Sequence, residues 1–141
     1  PLIISYPGHI PEGVRVVQPV ENEAIASTVL DLIGAKQDPF AGPSLDTLWK
    51  NPVTQQWPDA ISELPQTNTI VAADRAMQGK IPIATDGWMK SVVSPQWQLI
   101  VHEKYSPQIY NWKNDPGELN NLANTPEGQA AIAALLKEIS P

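Results

Sequence analysis

Residues 109–124, with the sequence IYNWKNDPGELNNLAN, join two kinds of local structure. The first half is aromatic and β-prone, and it meets an Asp-Pro-Gly-Glu segment followed by leucines at helical spacing. Asp115 fits a helix N-cap, Pro116 the first helical position, and Glu118 the third position of a capping box. The pattern therefore predicts a helix of one to two turns that packs back onto a sheet. Capping chemistry explains this junction without a ligand.

The region before this junction has the composition of an antiparallel sheet. Short β-prone runs separated by turn residues lie at 69–73, 81–85, 89–93, 97–102 and 108–112. A spacing of about 8–12 residues between short strands is typical of a meander. After the junction, Thr125-Pro126-Glu127 repeats the capping pattern and starts a helix with one apolar stripe, formed by Ile132, Leu135, Leu136 and Ile139. We therefore predict about four antiparallel strands with a C-terminal helix packed on one face.

The N-terminal third has a different pattern. Residues 2–6 form an apolar run closed by Pro-Gly, which predicts a buried strand and a turn. Residues 21–33 predict a helix that ends at Gly34, with a stripe formed by Ile25, Val29, Leu32 and Ile33. A Pro-rich connection follows, with one short helix near 44–49. The predicted organisation is thus 1–34 strand and helix, 35–66 connecting loop, and 67–141 sheet and helix.

Composition and charge exclude several classes of function. The chain has 141 residues, 42% of them hydrophobic, and a formal charge of −6, which opposes binding to nucleic acid. The absence of cysteine excludes disulfides and thiolate chemistry in this segment. No apolar run approaches the ~18 residues of a membrane span. There is no initiator Met or leader, and the chain opens inside a strand pattern, so we expect it to be a piece of a longer protein.

Six segments in order carry a resemblance to a known family. They are YPGHIPEGVRVVQPV, ENEAIASTVLDLIG, AGPSL, WQLIV, QIYNW and NDPGELNNLA. Together they resemble the C-terminal part of the sulfatases, the formylglycine-dependent sulfate ester hydrolases of the alkaline phosphatase superfamily. The chain departs from the family pattern at Asn111 (commonly Asp), Trp112 (commonly Leu) and Trp97-Gln98 (commonly Tyr-Lys). The resemblance implies an α/β fold, or α+β for the fragment alone, with the N-terminal strand and helix completing the parent's large sheet.

The resemblance also implies where the chemistry lies. Such enzymes hydrolyse sulfate esters with residues of an N-terminal catalytic domain, using a formylglycine and a divalent cation, calcium or magnesium. None of those motifs occurs in this chain, so no catalytic or metal residue is assigned here and the segment alone is expected to be inactive. The implied partners are that N-terminal domain and, through the parent, a sulfated small molecule or glycan. The resemblance favours a periplasmic or secreted location.

One group of residues is a candidate for substrate contact. His102, Lys104 and Tyr105 lie at the tip of the predicted hairpin 97–112, where loops on a rigid sheet often carry binding groups. Two interpretations fit this tip: an ordinary solvated hairpin end, which the sequence favours, and the rim of a substrate cleft, for which these three residues are the candidates. The segment Ser5-Tyr6-Pro7-Gly8-His9 has part of the formylglycine pattern but lacks its Arg, and it predicts a turn. His9 and His102, the only histidines, have no carboxylates at metal-ligand spacing.

Two alternatives remain open from the sequence. One is a phosphodiesterase or phosphonate hydrolase of the same superfamily. The other is a non-catalytic interaction module that folds alone. The fragment hypothesis makes a further prediction, an exposed apolar flank at residues 2–6 and 25–33 unless a partner covers it.

Overall fold

The computed structural model describes residues 2–35, 39–40, 42–51, 57–65 and 87–139. The chain forms two compact units, Pro1–Pro58 and Asp59–Pro141. We call them the N-terminal unit and the C-terminal unit. The N-terminal unit contains helices α1 (Glu23–Leu32) and α2 (Asp46–Lys50). The C-terminal unit contains strands β1 (Ala60–Leu64), β2 (Met89–Val93), β3 (Gln98–His102) and β4 (Gln108–Tyr110), then helix α3 (Pro126–Ile139).

The C-terminal unit is built on the predicted antiparallel sheet. The four strands lie in the order β1-β2-β3-β4, and each pairs antiparallel with the next. Three of the strands match predicted runs. The first, β1, lies in the segment predicted as a connecting loop, and the predicted strands at 69–73 and 81–85 fall outside the described residues. β1 was missed because it is followed directly by Pro65 and has only two apolar side chains beyond Ala60.

One row of side chains crosses the whole sheet and forms its core. Ile61, Val92, Leu99 and Ile109 are paired in register across the four strands. The last three are fully buried and, together with Leu135 of α3, form one cluster. Because successive side chains of a strand point to opposite faces, this row defines the face on which α3 packs. Trp97 and Val101, which alternate with other residues on either side of Leu99, pack against the same cluster.

The C-terminal helix begins as predicted. Pro126 is its first residue, and the Gly128 backbone N–H donates to Thr125 Oγ1 at 3.0 Å, which is an N-cap hydrogen bond. The buried residues of α3 are Gly128 and Leu135, and Ile132, Leu136 and Ile139 pack at the edge of the same core. The predicted apolar stripe therefore faces the sheet.

The short helix predicted after Asp115 is absent, and that prediction is wrong. The Glu118 backbone N–H donates to the carbonyl oxygen of Asp115 at 3.0 Å, which closes a turn, and Glu118 adopts a φ of 51° that ends any helical path. Asp115 does accept backbone hydrogen bonds, but its Oδ2 accepts from the Asn120 N–H at 2.8 Å, across a loop. Leu119, predicted to pack on the sheet, is 85% exposed.

The segment after this loop closes the edge of the sheet. The Leu122 N–H donates to the Ile109 carbonyl oxygen at 2.9 Å, and the Ile109 N–H donates to Asn121 Oδ1 at 3.2 Å. The same Asn121 oxygen accepts from the Ala123 N–H at 3.0 Å. The chain therefore runs beside β4, where a fifth strand would lie. These residues form hydrogen bonds with β4 in place of the predicted helix.

The Asp115 loop is expected to respond to acid. The Asn120 backbone N–H, followed by that of Leu119, lowers the pKa of Asp115 from its ordinary value of 3.8. Because the pKa is depressed in the folded state, the stabilisation is present above pH 3.8 and is lost as the pH falls through the lowered pKa. We expect an NMR titration of this carboxyl to have a midpoint below 3.8, and the destabilisation that Asp115→Asn causes at pH 7 to diminish as the pH falls through that midpoint. A midpoint at or above 3.8 would contradict the loop geometry.

In the N-terminal unit, helix α1 ends as its sequence predicts. Gly34 has a φ of 70°, the Gly34 N–H donates to the Asp31 carbonyl at 3.0 Å, and the Ala35 N–H donates to that of Leu30 at 2.9 Å. This pair of bonds is a Schellman motif, in which a left-handed glycine stops the helix. The short helix predicted near 44–49 is also confirmed as α2. By contrast, residues 2–6, predicted as a strand, form none in this structure, and none of the strands in the described part of the chain pairs with them.

A buried threonine ties α1 to the segment before α2. Thr28 Oγ1 donates to the Ala24 carbonyl at 2.5 Å and accepts from the Leu45 N–H at 2.8 Å. Leu45 and Leu48 are buried with Ala24, and Trp57 packs against them. The threonine hydroxyl thus satisfies a backbone donor inside the apolar core.

Thr28→Val is expected to destabilise the chain by about 1–3 kcal/mol. The new side chain has the same shape, but it leaves the buried Leu45 N–H without its acceptor. Thr28→Ser keeps the hydroxyl and removes one methyl group, so it should cost only about 0.8 kcal/mol. Urea unfolding of the three proteins measures the difference. A loss for Thr28→Ser with none for Thr28→Val would show that packing, not the hydrogen bond, is what Thr28 contributes.

Candidate functional site

The predicted rim residues lie where the sequence placed them, at the connection between β3 and β4. His102 is the last residue of β3, and Lys104 and Tyr105 follow it. His102 is 7% exposed, whereas Tyr105 is 46% exposed. The site therefore combines the buried imidazole of His102 with the exposed ammonium group of Lys104 and the exposed phenol ring of Tyr105.

The connection is held by contacts of His102. Its Nδ1 accepts a hydrogen bond from the Lys104 backbone N–H at 3.0 Å, so a neutral imidazole carries its proton on Nε2. The ring of Tyr105 lies against the imidazole, with ring centroids 4.7 Å apart and planes tilted by 56°. The backbone position of Lys104 and the ring position of Tyr105 are thus both set by His102.

The site extends to the residues before β2, which the sequence prediction did not include. The Glu103 N–H donates to the Trp88 carbonyl at 3.0 Å, and the Trp88 N–H donates to Glu103 Oε2 at 3.2 Å. A Cβ on Gly87 would lie 3.0 Å from His102 Cε1, so only glycine fits there without displacement. Met89 and His102 are the last pair of the β2–β3 ladder, and the contact between Trp88 and Glu103 extends this pairing by one residue. The residues before β2 therefore join the site through the register of the two strands.

The other sequence candidates have structural explanations. In the segment Ser5 to His9, the His9 and Ile10 N–H groups both donate to the Tyr6 carbonyl at 3.0 Å, which forms a turn. The Tyr6 and His9 rings are stacked, with centroids 4.1 Å apart. Within the described ranges, no three His, Cys, Asp or Glu side chains converge as metal ligands. The described residues therefore do not fit the divalent cation that the family resemblance implies.

The N-terminal unit contains an open cleft of about 810 Å³. Its walls come from residues 2–20 and from the region of α2, and they include Ile4, Val16, Leu48 and Trp49. Arg15 and Glu12 are its charged lining residues. The walls of the cleft are therefore mostly apolar, as in many binding and packing surfaces.

Comparison with known proteins first defines the class. Over 80% of its length the chain matches a solved 2-O GAG sulfatase, with a TM-score of 0.57 and 24% identity, covering 23% of that chain. Over 82% of its length it matches the phosphonate monoester hydrolase of Agrobacterium radiobacter, with a TM-score of 0.55 and 17% identity, again covering 23%. The chain thus has the fold of a segment of these hydrolases, and the predicted fold class is confirmed.

Comparison of amino-acid sequences identifies one particular relative. The chain is 26% identical over 135 residues, 96% of its length, to the choline-sulfatase of Rhizobium meliloti (strain 1021), and it spans 23% of that protein. No protein-family model matches the chain. The chain is therefore similar to a part of a sulfatase in both sequence and fold, which confirms the resemblance, and it spans about a quarter of the relatives it matches. In the described part of the chain, no helix has the length and hydropathy needed to cross a membrane.

Proposed function

We propose that this chain is the C-terminal portion of an enzyme that hydrolyses sulfate esters, and that its own role is structural. The observation that carries the proposal is the choline-sulfatase similarity over 96% of the chain together with the shared fold. The nucleophile and the divalent cation would belong to the N-terminal catalytic domain, because the described residues form no site for a cation. We place the enzyme in the periplasm or outside the cell, as is typical of the family it resembles.

The test is a comparison of two preparations. The product of the complete reading frame that encodes this chain should hydrolyse an aryl sulfate, and the 141-residue chain alone should show no turnover with or without calcium. Turnover by the purified chain alone would overturn the structural role. Failure of the complete product on every sulfate ester tested would overturn the assignment as a sulfatase.

A second candidate is a phosphonate monoester hydrolase. It is supported by the match to the Agrobacterium radiobacter enzyme, whose TM-score is close to that of the sulfatase. The same assay separates the two activities when an aryl phosphonate monoester is included. A rate on the phosphonate that exceeds the rate on the sulfate would favour this second function.

Within the sulfatase, His102, Lys104 and Tyr105 would line the rim of the substrate cleft. A cation and an aromatic ring held by one buried imidazole suit an anionic sugar, because the ammonium pairs with the charge and the ring packs on the apolar face. The connection would then contribute to substrate affinity but not to bond cleavage.

Lys104→Ala is therefore expected to raise KM for a sulfated sugar about tenfold while kcat stays unchanged. A hydrogen bond to a charged group contributes roughly 1.5–3 kcal/mol, and about 1.4 kcal/mol corresponds to a factor of ten. The matched control is Lys113→Ala, which removes an exposed lysine beyond β4. Steady-state kinetics of the complete enzyme measure both parameters. Equal KM values for the two variants would exclude Lys104 from the rim.

A further inference from the structure

His102 holds the connection between β3 and β4 through an acceptor nitrogen. Its side chain is 7% exposed, and its Nδ1 accepts the Lys104 backbone N–H at 3.0 Å. The Tyr105 ring packs against the same imidazole, with ring centroids 4.7 Å apart. The two exposed side chains of the proposed rim therefore both depend on one buried ring, and that ring need not touch a substrate to affect how it binds.

The hydrogen bond to Nδ1 requires a neutral imidazole. A neutral ring has one N–H donor and one acceptor nitrogen, whereas the protonated ring has two donors and no acceptor. Protonation would therefore place a hydrogen on Nδ1 that points at the Lys104 N–H, and two donors would face each other at 3.0 Å. A flip of the ring would not restore the bond, because it exchanges Nδ1 for Cδ2, which accepts no hydrogen bond.

The backbone before β2 restricts where the imidazole can move. An ideal Cβ on Gly87 would lie 3.0 Å from His102 Cε1 and 2.8 Å from Glu103 Oε2, so the glycine backbone lies directly against both side chains. The Glu103 N–H donates to the Trp88 carbonyl at 3.0 Å, and the Trp88 N–H donates to Glu103 Oε2 at 3.2 Å. Because this side of the ring is closed, the exposed part of the connection is what must move when the imidazole is protonated.

Among the described residues, the titratable groups around the imidazole belong to the connection itself. Glu103, Lys104 and Tyr105 can all titrate, whereas residues 87–89, which pack against His102 from the neighbouring strand, include no titratable side chain. Histidine ordinarily titrates between about pH 5 and 8, and glutamate, lysine and tyrosine ordinarily titrate outside that range. A change in substrate affinity within that range that is absent from a variant without the imidazole therefore identifies His102 as its source.

We propose that His102 is a positioning residue of the rim: its neutral form holds Lys104 and Tyr105 in the arrangement that binds an anionic sugar, and protonation of the imidazole releases them and weakens binding. This inference rests on the proposed function for the rim and its substrate. It goes beyond that function in making substrate affinity depend on a proton at Nδ1. A direct contact between a charged imidazole and the anion predicts the opposite sign, tighter binding in acid, so the direction of the pH effect separates the two roles.

The test is steady-state kinetics of the complete enzyme with a sulfated sugar between about pH 8 and pH 5. As the pH falls, KM of the wild type should rise about tenfold, toward the value for Lys104→Ala, because the same contact with the anion is lost. His102→Asn places an amide oxygen near the Nδ1 position and does not titrate in this range, so it should lack this rise. Lys113→Ala, which removes an exposed lysine beyond β4, should behave as the wild type does.

The variant Lys104→Ala itself gives a second comparison. It lacks the ammonium group that His102 positions, so the acid-dependent rise in its KM should be much smaller than that of the wild type. This change is made at an exposed side chain, so the comparison stands even where His102→Asn does not fold. Any pH dependence that arises in the catalytic domain is shared by all the variants, and the difference between them is therefore the measurement.

Hydrogen exchange of the complete enzyme gives a readout that needs no substrate. After correction for the intrinsic effect of pH, the Lys104 amide should lose protection in acid, because its acceptor is Nδ1 of His102. The Glu103 amide, whose acceptor is the Trp88 carbonyl, should keep its protection and serves as the internal control.

Three results would overturn the proposal. They are an acid-dependent rise in KM that is equal in the wild type and His102→Asn, tighter binding in acid, and protection of the Lys104 amide that does not change with pH. A complete enzyme that hydrolyses no sulfate ester would refute the proposed function alone. The exchange measurement would then decide by itself whether His102 positions the connection.

Discussion

Gly128→Ala is expected to destabilise the C-terminal unit by about 3 kcal/mol or more, at or above the upper end of ordinary overpacking. A Cβ on Gly128 would overlap the carbonyl oxygen of Leu122 and lie 2.6 Å from its carbonyl carbon. That carbonyl cannot move freely, because it accepts hydrogen bonds from the Thr125 N–H at 2.9 Å and from Thr125 Oγ1 at 2.8 Å. The helix start and the segment beside β4 would have to separate.

The control for this prediction is another glycine of the same unit. A Cβ on Gly117 would meet only the Leu119 side chain, at 3.5 Å or more, which is ordinary contact distance. Gly117→Ala should therefore change the free energy of unfolding by less than about 0.5 kcal/mol. Urea unfolding followed by circular dichroism measures both variants. Similar stabilities for the two alanine variants would show that α3 does not approach Leu122 as closely as described.

Leu99→Ala is expected to cost about 2–5 kcal/mol, the range for a leucine removed from a packed core. Leu99 is fully buried at the centre of the row that crosses the sheet, between Val92 and Ile109. Because strands on both sides are hydrogen-bonded to β3, the surrounding backbone has little freedom to close the cavity. The loss should therefore fall in the upper half of that range.

Leu119→Ala is the matched control, since it makes the same chemical change at a side chain that is 85% exposed. Its expected effect is within about 0.5 kcal/mol of zero. The comparison also tests the corrected loop structure. A loss of 2 kcal/mol or more at Leu119 would mean that this side chain packs on the sheet, as the capping pattern had indicated.

The loop after Asp115 shows why a strong local pattern was misleading. Asp, Pro and Glu at capping spacing favour a helix start, but the same groups also stabilise a turn, in which the Asp115 carboxylate accepts from the Asn120 N–H. The outcome was decided by Ile109, an edge-strand residue whose backbone groups pair with Asn121 and Leu122. These pairings join residues more than ten positions apart in sequence, so local spacing does not encode them.

The candidate site was predictable in position but not in extent. Alternating strands around a turn placed His102, Lys104 and Tyr105 at one end of the sheet, and the structure has them there. The part played by Gly87 and Trp88 depends on the register between β2 and β3. Register is set by packing across the sheet, and a one-residue shift would change every contact at this end.

Local chemistry in the sequence determined the elements that depend on neighbouring residues: the left-handed Gly34 that ends α1, the Thr125-Pro126 start of α3, and the alternation that builds β3. Tertiary structure decided the rest. It showed that β1 completes the sheet, that residues 115–122 form a loop beside β4, and that α1 buries its small residues Ala24, Ser27 and Thr28. The physical reason is that these outcomes depend on which distant surfaces are available to satisfy a backbone group or cover an apolar side chain, and only the folded chain contains that information.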